Sequence, residues 1–291
     1  MFKIVESSRL TTMQAQLKYI EVDGIRLAYE EFGKGEAVLF LHGFGASSHS
    51  WRKVAELLAK SGDRRTICLN LMGFGHSDKP QNTDYSINNQ ALVVIRFIEK
   101  LNLKELTLVG HSYGGGISLI ILHELSRQKC EPKIKNLVLA SSPCFPMVMP
   151  RFLKLLAIPI LPHLFLRLIP AEKIVYQMIR YDLPDLHQNS PTVKEYADCM
   201  KSNGCHRAMV EMARGIVPKN MDLLTQWYPS IKVPSLLIWG EHDGLIPVTH
   251  AKRLQKAIPG SSLVILENCG HIPQERFPLE VHAHLHEFLD L

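Results

Sequence analysis

The stretch Gly110-His111-Ser112-Tyr113-Gly114 determines how we interpret the rest of this chain. The residues before it are apolar and rich in β-formers, and the residues after two further glycines follow an apolar helical pattern. The serine therefore lies where a buried strand turns directly into a helix. A turn this tight leaves no room for side chains at its two ends, so glycine is the residue that fits there. The pattern predicts a nucleophile elbow, with the serine exposed at the carboxyl edge of a sheet and at a helix N-terminus.

Other short apolar runs resemble the strand before the elbow. They do not alternate between apolar and polar residues, which is typical of central parallel strands buried on both faces. Helical patterns separate them, and this alternation predicts an α/β fold with a doubly wound, mostly parallel sheet. Two earlier runs, 17–22 and 25–31, joined at Asp23-Gly24, predict a hairpin at the antiparallel edge of the sheet. The predicted parallel strands are residues 37–41, 66–70, 106–109, 136–140, 235–239 and 262–266.

The alternation of strand and helix patterns stops between about residues 146 and 218, where prolines interrupt a series of helical patterns. We expect a helical cap at 146–218, a core of 18–145 and 219–291, and an N-terminal extension of residues 1–17. The run 152–169 in the cap is strongly apolar, but its two prolines and two charges argue against a membrane span. We expect this run to form a lid over an apolar pocket; a weak membrane-surface contact through the cap is the alternative.

Composition excludes several classes of protein. The 291 residues are 46% hydrophobic and 21% charged, as in ordinary globular proteins, and the net charge of +5 comes without a dense basic block that would suggest nucleic acid. The six cysteines are scattered without Cys-x-x-Cys or zinc spacing, which favours free thiols and no metal site. No other motif suggests an organic cofactor, so we expect none. The first 17 residues lack the apolar core of a signal peptide, so we expect a cytoplasmic protein. The expected partner is a small-molecule substrate, and the oligomeric state stays open.

A serine is a poor nucleophile unless a base, itself oriented by a third group, lies within hydrogen-bond reach. Two candidates follow predicted strands on the face where open α/β sheets place their sites. Asp243 follows strand 235–239 by a few residues and precedes a turn, which favours it over the other nearby acids. His271 is the histidine in a glycine-flanked loop that comes after both a strand and the acid. We therefore predict that Ser112, Asp243 and His271 are the catalytic residues.

A glycine-rich turn around Phe44 follows the first predicted parallel strand. Such a turn can aim a backbone N–H at a developing oxyanion, and the N–H after the nucleophile is the usual second donor. We predict Phe44 and Tyr113 as the oxyanion-hole residues; a plain strand-end turn is the alternative. Gly43 in the same turn, and Leu155 and Leu164 in the apolar run of the cap, are the predicted substrate-binding residues.

Taken together, these motifs resemble those of the α/β-hydrolase superfamily, and in particular of its capped single-domain group. The resemblance covers about residues 18–291, and it implies that residues 146–218 form the cap. One departure is Asn70, where the group usually shows Asp; it puts the packing of that turn in doubt but removes no triad member. The matching motifs are His42-Gly-Phe-Gly45 with Trp51, Asn70-Leu-Met-Gly-Phe-Gly-His-Ser77, Gly110-His-Ser-Tyr-Gly114, Gly240-Glu-His-Asp243 and Cys269-Gly-His271.

The serine narrows the reactions that the resemblance implies, because related dehalogenases and epoxide hydrolases use aspartate at the elbow. We expect a serine hydrolase that cleaves a carboxylic ester with an apolar acyl or alcohol part through an acyl-enzyme. A carbon–carbon hydrolase of vinylogous diketo acids is the alternative enzyme: the tail 268–274 is similar to that family, although the usual Pro-Gly-Ala run is missing. Arg207 and Arg214 in the cap are its candidate carboxylate partners; the favoured alternative is that both are solvated surface arginines, since charges are rarely buried. A non-catalytic binding protein on the same scaffold is the third reading, but such proteins usually lack a triad member.

Overall fold

Eight strands form one sheet in the computed structural model, which describes residues 16–128, 132–158 and 168–290. Most of the predicted N-terminal extension, and Leu164, lie outside the described residues. Residues 16 and 17 of that extension belong to the first strand instead. The strands are β1 (Gln16–Val22), β2 (Ile25–Gly33), β3 (Glu36–Leu41), β4 (Arg64–Leu69), β5 (Glu105–His111), β6 (Lys133–Ala140), β7 (Ser235–Gly240) and β8 (Ser262–Leu266).

Helices cover both faces of the sheet. The described helices are α1 (His49–Ser61), α2 (Ile87–Lys100), α3 (Tyr113–Gln128), α4 (Arg151–Leu156), α5 (Ala171–Ile179), α6 (Pro191–Lys201), α7 (Cys205–Arg214), α8 (Met221–Trp227), α9 (Val248–Ala257), α10 (Pro273–Arg276) and α11 (Pro278–Asp290).

The strand order is β1-β2-β4-β3-β5-β6-β7-β8, with β1, β2 and β4 antiparallel and the remaining pairs parallel. The predicted fold class is confirmed, including the hairpin at the antiparallel edge. Its turn has positive φ angles at Asp23 (50°) and Gly24 (78°), as a two-residue hairpin turn of the favoured hand requires.

The chain reverses its direction across the sheet between β3 and β5. These strands are neighbours, and Leu41 at the end of β3 pairs with Gly110 near the end of β5. The loops that follow them therefore emerge side by side, at the kind of switch point where open α/β sheets place their ligands. On the far side, Gly240 at the end of β7 pairs with Leu266 at the end of β8, so those two loops also leave the same edge.

Alternate residues of each central strand face two different apolar layers. Leu39 and Leu108 belong to the cluster that includes α2 and α3, whereas Phe40 and Val109 belong to the cluster that includes α1 and α11. Burial on both faces explains why these strands are continuously apolar in sequence rather than alternating.

Between β6 and β7 the described part of residues 141–234 contains helices, with no strand; we call this the helical segment. Of all the helices in the described ranges, none has both the length and the apolar character that spanning a membrane requires. The cysteines that the structure describes are free and buried.

Candidate active site

Ser112 has a left-handed backbone conformation, with φ of 49°, at the junction of β5 and α3. A non-glycine residue rarely adopts this conformation, and strained backbone of this kind is typical of functional sites. The surrounding structure holds it there. The N–H of Ser112 donates to the carbonyl oxygen of Ala140 at 2.9 Å, and the N–H groups of Gly115 and Gly116 donate to the Ser112 carbonyl at 2.9 and 3.1 Å.

The glycines at both ends of the turn have no room for a side chain. A β-carbon at Gly110 would lie 2.5 Å from the carbonyl oxygen of Gly114, and one at Gly114 would collide with the carbonyl oxygen of Leu41. Both obstacles are backbone atoms, which cannot rotate away as a side chain can. Glycine is therefore required at 110 by the tightness of the turn itself, and at 114 by the close approach of β3.

Three of the predicted residues form one hydrogen-bonded chain. The Oγ of Ser112 lies 2.9 Å from Nε2 of His271, and Nδ1 of His271 lies 3.0 Å from each carboxylate oxygen of Asp243. His271 is 7% exposed and Asp243 is 6% exposed. A carboxylate can only accept, so Nδ1 carries the proton and Nε2 keeps a lone pair toward the serine hydroxyl. This arrangement is the one that a general base for Ser112 needs.

The loop of Asp243 keeps its carboxyl group ionised. Its Oδ1 accepts the backbone N–H groups of Leu245 and Ile246, each at 2.9 Å. Burial by itself raises the pKa of Asp243, but the hydrogen bond and charge of His271, with the Ile246 N–H, outweigh it and hold the pKa below its usual value. The acid can therefore orient the imidazole and stabilise its protonated form.

The backbone of His271 is itself held on two sides. Its carbonyl oxygen accepts Nε2–H of His111 at 2.8 Å, and its N–H donates to Oδ1 of Asp182. Burial, and then repulsion from His271, lower the pKa of His111 to about 3, so His111 stays neutral. Sequence reasoning missed both roles, because His111 occurs in the sequence only as one residue of the elbow motif and Asp182 lies 89 residues from His271 without any local motif.

A cavity of about 320 Å³ opens above Ser112 between the sheet edge and the helical segment. Gly43, Phe44 and Tyr113 line it together with Ser112, and the oxyanion-hole role of Phe44 and Tyr113 and the substrate-binding role of Gly43 stay predictions. The ring of Phe44 packs edge-to-face on that of Tyr113 at 6.1 Å. Tyr113 is the first residue of α3, so its backbone N–H has no partner within the helix.

The walls of the cavity are predominantly apolar. The lining residues from the helical segment include Phe145, Met147, Phe152, Met178, Met221 and Leu224.

The charged lining groups of the cavity, apart from histidine, are acidic. Asp182 and Glu275 line it, whereas no lysine or arginine does so among the described residues. Tyr196 donates its hydroxyl hydrogen to Oε1 of Glu275 at 2.7 Å. Burial raises the pKa of Glu275 to about 7, although hydrogen bonds from Tyr196 and Ser50 lower it in part.

The predicted substrate role of Leu155 is wrong. Its side chain is 61% exposed and does not line the cavity, whereas its helix neighbours Phe152 and Leu153 do. Successive residues of α4 are about 100° apart around the helix axis. Leu155 therefore points to a different side of the helix from Phe152 and Leu153. Leu164, the other predicted cap residue, lies outside the described part of the chain.

The cap arginines suggested for a substrate carboxylate are bonded elsewhere. Arg207 donates to the carbonyl oxygens of Lys79 and Pro80 at 2.7 and 3.0 Å. Arg214 donates to the carbonyl oxygen of Ala157 and to the carboxylate of Glu211 at 3.2 and 2.8 Å. Neither lines the cavity. Within the described ranges, no group of three His, Cys, Asp or Glu side chains could hold a metal ion.

Asn70, the departure from the usual family pattern, is fully buried behind the site. Its Oδ1 accepts the backbone N–H of Ser48 at 3.0 Å, and its Nδ2 donates to Oγ of Ser48 at 3.1 Å. The single hydroxyl hydrogen of Ser48 goes to Glu30 at 2.6 Å, and Arg52 pairs with both oxygens of that carboxylate. Ser48 therefore needs a donor from residue 70, and an amide supplies one where an ionised carboxylate cannot.

Comparison with known proteins defines the family. Residues 36–278 match the model of the α/β-hydrolase fold, and the chain belongs to this family. It is 30% identical over 276 residues to the uncharacterised hydrolase YugF of Bacillus subtilis (strain 168), covering 94% of this chain and 97% of that protein.

Solved structures agree on the fold. A thermophilic esterase from Thermogutta terrifontis superposes with a TM-score of 0.76 at 22% identity, over 95% of this chain and 98% of its own. A meta-cleavage product hydrolase from Pseudomonas fluorescens gives a TM-score of 0.77 at 20% identity, over 94% and 97%. At these identities the likeness concerns the fold alone, and the chemistry has to be argued from the site.

Proposed function

We propose that this protein is a serine hydrolase that cleaves carboxylic esters with an apolar acyl or alcohol part. The observation that carries the proposal is the hydrogen-bonded chain from Ser112 through His271 to the buried Asp243, with distances of 2.9 and 3.0 Å. A nucleophile, a base and an orienting acid in these positions are what acyl transfer requires.

In the first half of the proposed reaction, Nε2 of His271 takes the proton of Ser112 while the serine Oγ attacks the ester carbonyl carbon. The N–H groups of Phe44 and Tyr113 stabilise the negative charge that develops on the carbonyl oxygen. His271 then gives its proton to the leaving alkoxide oxygen, the carbon–oxygen bond breaks, and the acyl group stays on Ser112.

In the second half, water attacks the acyl-enzyme carbonyl carbon and gives its proton to His271. Collapse of this second tetrahedral intermediate returns that proton to Ser112 Oγ and releases the carboxylic acid. Asp243, whose lowered pKa keeps it ionised, stabilises the imidazolium in both halves. No metal or redox step enters this scheme.

We equate the predicted cap with the helical segment, which supplies most of the apolar residues that line the cavity. An apolar wall binds the acyl chain by removing it from water, at about 0.8 kcal/mol per methylene. We therefore assign acyl selection to this segment and bond cleavage to the loops at the sheet edge.

The charges of the cavity favour an ester over a vinylogous diketo acid. A diketo acid carries a carboxylate, and no lysine or arginine among the described residues lines the cavity to pair with it. Burying a carboxylate without a cation beside it is unfavourable. An uncharged ester meets no such penalty.

A fluorophosphonate probe tests the proposal directly. Ser112 Oγ should displace fluoride and form a bond to phosphorus, so the folded protein becomes labelled and heat-denatured protein does not. Ser112→Ala should fold with an unchanged Tm, escape labelling, and hydrolyse a p-nitrophenyl ester on the order of 10⁵-fold more slowly. An unlabelled, inactive wild-type protein would instead support a binding protein on this scaffold. Turnover of a vinylogous diketo acid faster than of any p-nitrophenyl ester would replace the ester assignment.

A further inference from the structure

The loop that carries His271 is fixed through its backbone by two different parts of the molecule. From the core, His111 at the end of β5 donates to the His271 carbonyl oxygen at 2.8 Å. From the helical segment, Asp182, three residues beyond the end of α5, accepts the His271 N–H through Oδ1. The first contact comes from within the elbow itself. The second contact joins the helical segment to the loop of His271.

The loop of His271 has a glycine where the carboxylate of Asp182 approaches it. The residue before His271 is Gly270, and a β-carbon there would collide with Oδ1 of Asp182. Its backbone φ is not in the left-handed region, so glycine is not required at this position by backbone conformation. The side chain that Gly270 accommodates is that of Asp182.

We propose that Asp182 is a positioning residue: it holds the His271 loop so that Nε2 stays aligned with Ser112 Oγ. This inference rests on the proposed function. Asp243 fixes the orientation of the His271 ring through Nδ1, but the backbone of the loop sets the position from which the side chain extends. Because proton transfer depends on a distance near 2.9 Å, a small drift of that backbone lowers the rate of the chemical step. The helical segment would then complete the catalytic arrangement as well as bind substrate.

The first test compares two variants at one position. With p-nitrophenyl acetate, which has almost no acyl chain for the cavity wall to bind, Asp182→Ala should lower kcat about tenfold, the effect of losing one strong hydrogen bond, with KM unchanged within about twofold. Asp182→Asn keeps an oxygen that can accept the same N–H, so it should stay within about threefold of wild type.

Asp185 provides the matched control. It lies in the same loop between α5 and α6 and pairs with Arg276 at the surface, with 93% of its side chain exposed. Asp185→Ala should therefore leave kcat and KM unchanged. Equal kcat for Asp182→Ala and wild type, or an Asp182→Asn variant as slow as Asp182→Ala, would overturn the proposal.

A second test disturbs the same contact by a substitution in the loop of His271. Gly270→Ala should displace the Asp182 carboxylate and lower kcat by a similar factor of about ten, whereas Gly270→Ala combined with Asp182→Ala should be no slower than Asp182→Ala alone. Additive losses in the double variant would overturn the proposal. Should Asp182→Ala fail to fold, the comparison of Gly270→Ala with Asp182→Asn still decides it.

A third measurement does not depend on catalysis. Amide hydrogen exchange followed by NMR should show the His271 N–H exchanging at least about tenfold faster in Asp182→Ala than in wild type or Asp182→Asn. Unchanged exchange at this amide overturns the inference. A changed exchange rate in a protein that neither reacts with fluorophosphonate nor cleaves esters would retain the contact and reject the proposed function, so the two failures are distinguishable.

Discussion

Two regions meet at Ser112, and they are built differently. The loops at the sheet edge are fixed by buried polar contacts and by glycines pressed against backbone; Asp243 and His271 are 6% and 7% exposed. The helical segment presents mainly apolar side chains to the cavity, and other apolar side chains of the segment remain in water: Val148 is 79% exposed and Leu168 is 73% exposed. Directional hydrogen bonds hold the groups of the first region in place, whereas the second region presents an apolar surface.

The difference follows from what each region is proposed to do. Proton transfer requires a few atoms at hydrogen-bond distance, and hydrogen bonds are directional enough to hold them. Binding an acyl chain requires only that apolar surface be removed from water, which is not directional. Substitutions at the sheet edge, and at Asp182 where the helical segment contacts it, should therefore change the rate of the chemical step, whereas substitutions in the apolar wall of the helical segment should change selectivity.

The largest expected effect tests the sheet edge. Asp243→Asn should lower kcat on p-nitrophenyl acetate on the order of 10⁴-fold, because the amide can donate to Nδ1 and so favours the wrong tautomer of His271. The matched control is Asp222→Asn, in an exposed acid at the start of α8. If the control variant lost activity and Asp243→Asn kept it, the acid would be misassigned.

The next effect concerns the buried network behind the site. Asn70→Asp removes the donor to Ser48 and places a second carboxylate near that of Glu30, so it should lower the free energy of unfolding by about 3 kcal/mol. Urea unfolding of this variant and of Asn82→Asp, in an exposed turn, measures the difference. An equally stable Asn70→Asp protein would mean that the network tolerates the residue typical of the family.

A smaller effect tests the helical segment. For wild type, kcat/KM on p-nitrophenyl esters should rise about fourfold per methylene from acetate to about hexanoate and then level off. Phe152→Asp, in the cavity wall, should flatten this rise while acetate hydrolysis is retained. Leu155→Asp, on the same helix but pointing to solvent, should leave the rise unchanged. The two regions would not be separable in function if Phe152→Asp abolished acetate hydrolysis in a folded protein.

The smallest effect lies where the two regions touch, at Glu275 and Tyr196. The folded-state pKa of Glu275 is about 7, above its ordinary value of 4.5, so the folded state holds this proton more tightly and stability falls as pH rises between these values. Glu275→Gln removes the ionisation, and its gain in Tm over wild type should be about 3 °C larger at pH 8 than at pH 5. Glu280→Gln, at an exposed position of α11, is the control. A gain that does not depend on pH would show that the carboxyl group is not protonated in the folded protein.

The sequence predicted much of the fold because local patterns suffice for it. Continuous apolar runs marked the six parallel strands, and Asp23-Gly24 marked the hairpin. The elements of the sheet-edge site were also predictable, since strand ends and glycine turns have local signatures. Ser112, His271 and Asp243 lie together as predicted, although their catalytic roles stay predictions.

The errors lie where contacts are made over long sequence separations. The apolar run of the helical segment suggested that Leu155 faces substrate, but an apolar residue on a short helix can equally face water, and only packing decides which. Asp182 has no local signature either, because its partner His271 is supplied by a loop 89 residues away. Asn70 looked like a deviation in a turn, and its reason appeared only with Ser48 and Glu30 beside it.

The sequence by itself determined the α/β fold, the hairpin at the edge of its sheet and the three residues placed at the ends of strands, because backbone sterics and hydrophobic periodicity act between near neighbours. The tertiary structure alone decided which side chains line the cavity, that its charged lining groups are acidic and that the helical segment contacts the His271 loop. These properties depend on distances between atoms that the chain brings together only on folding, and no spacing in the sequence encodes them.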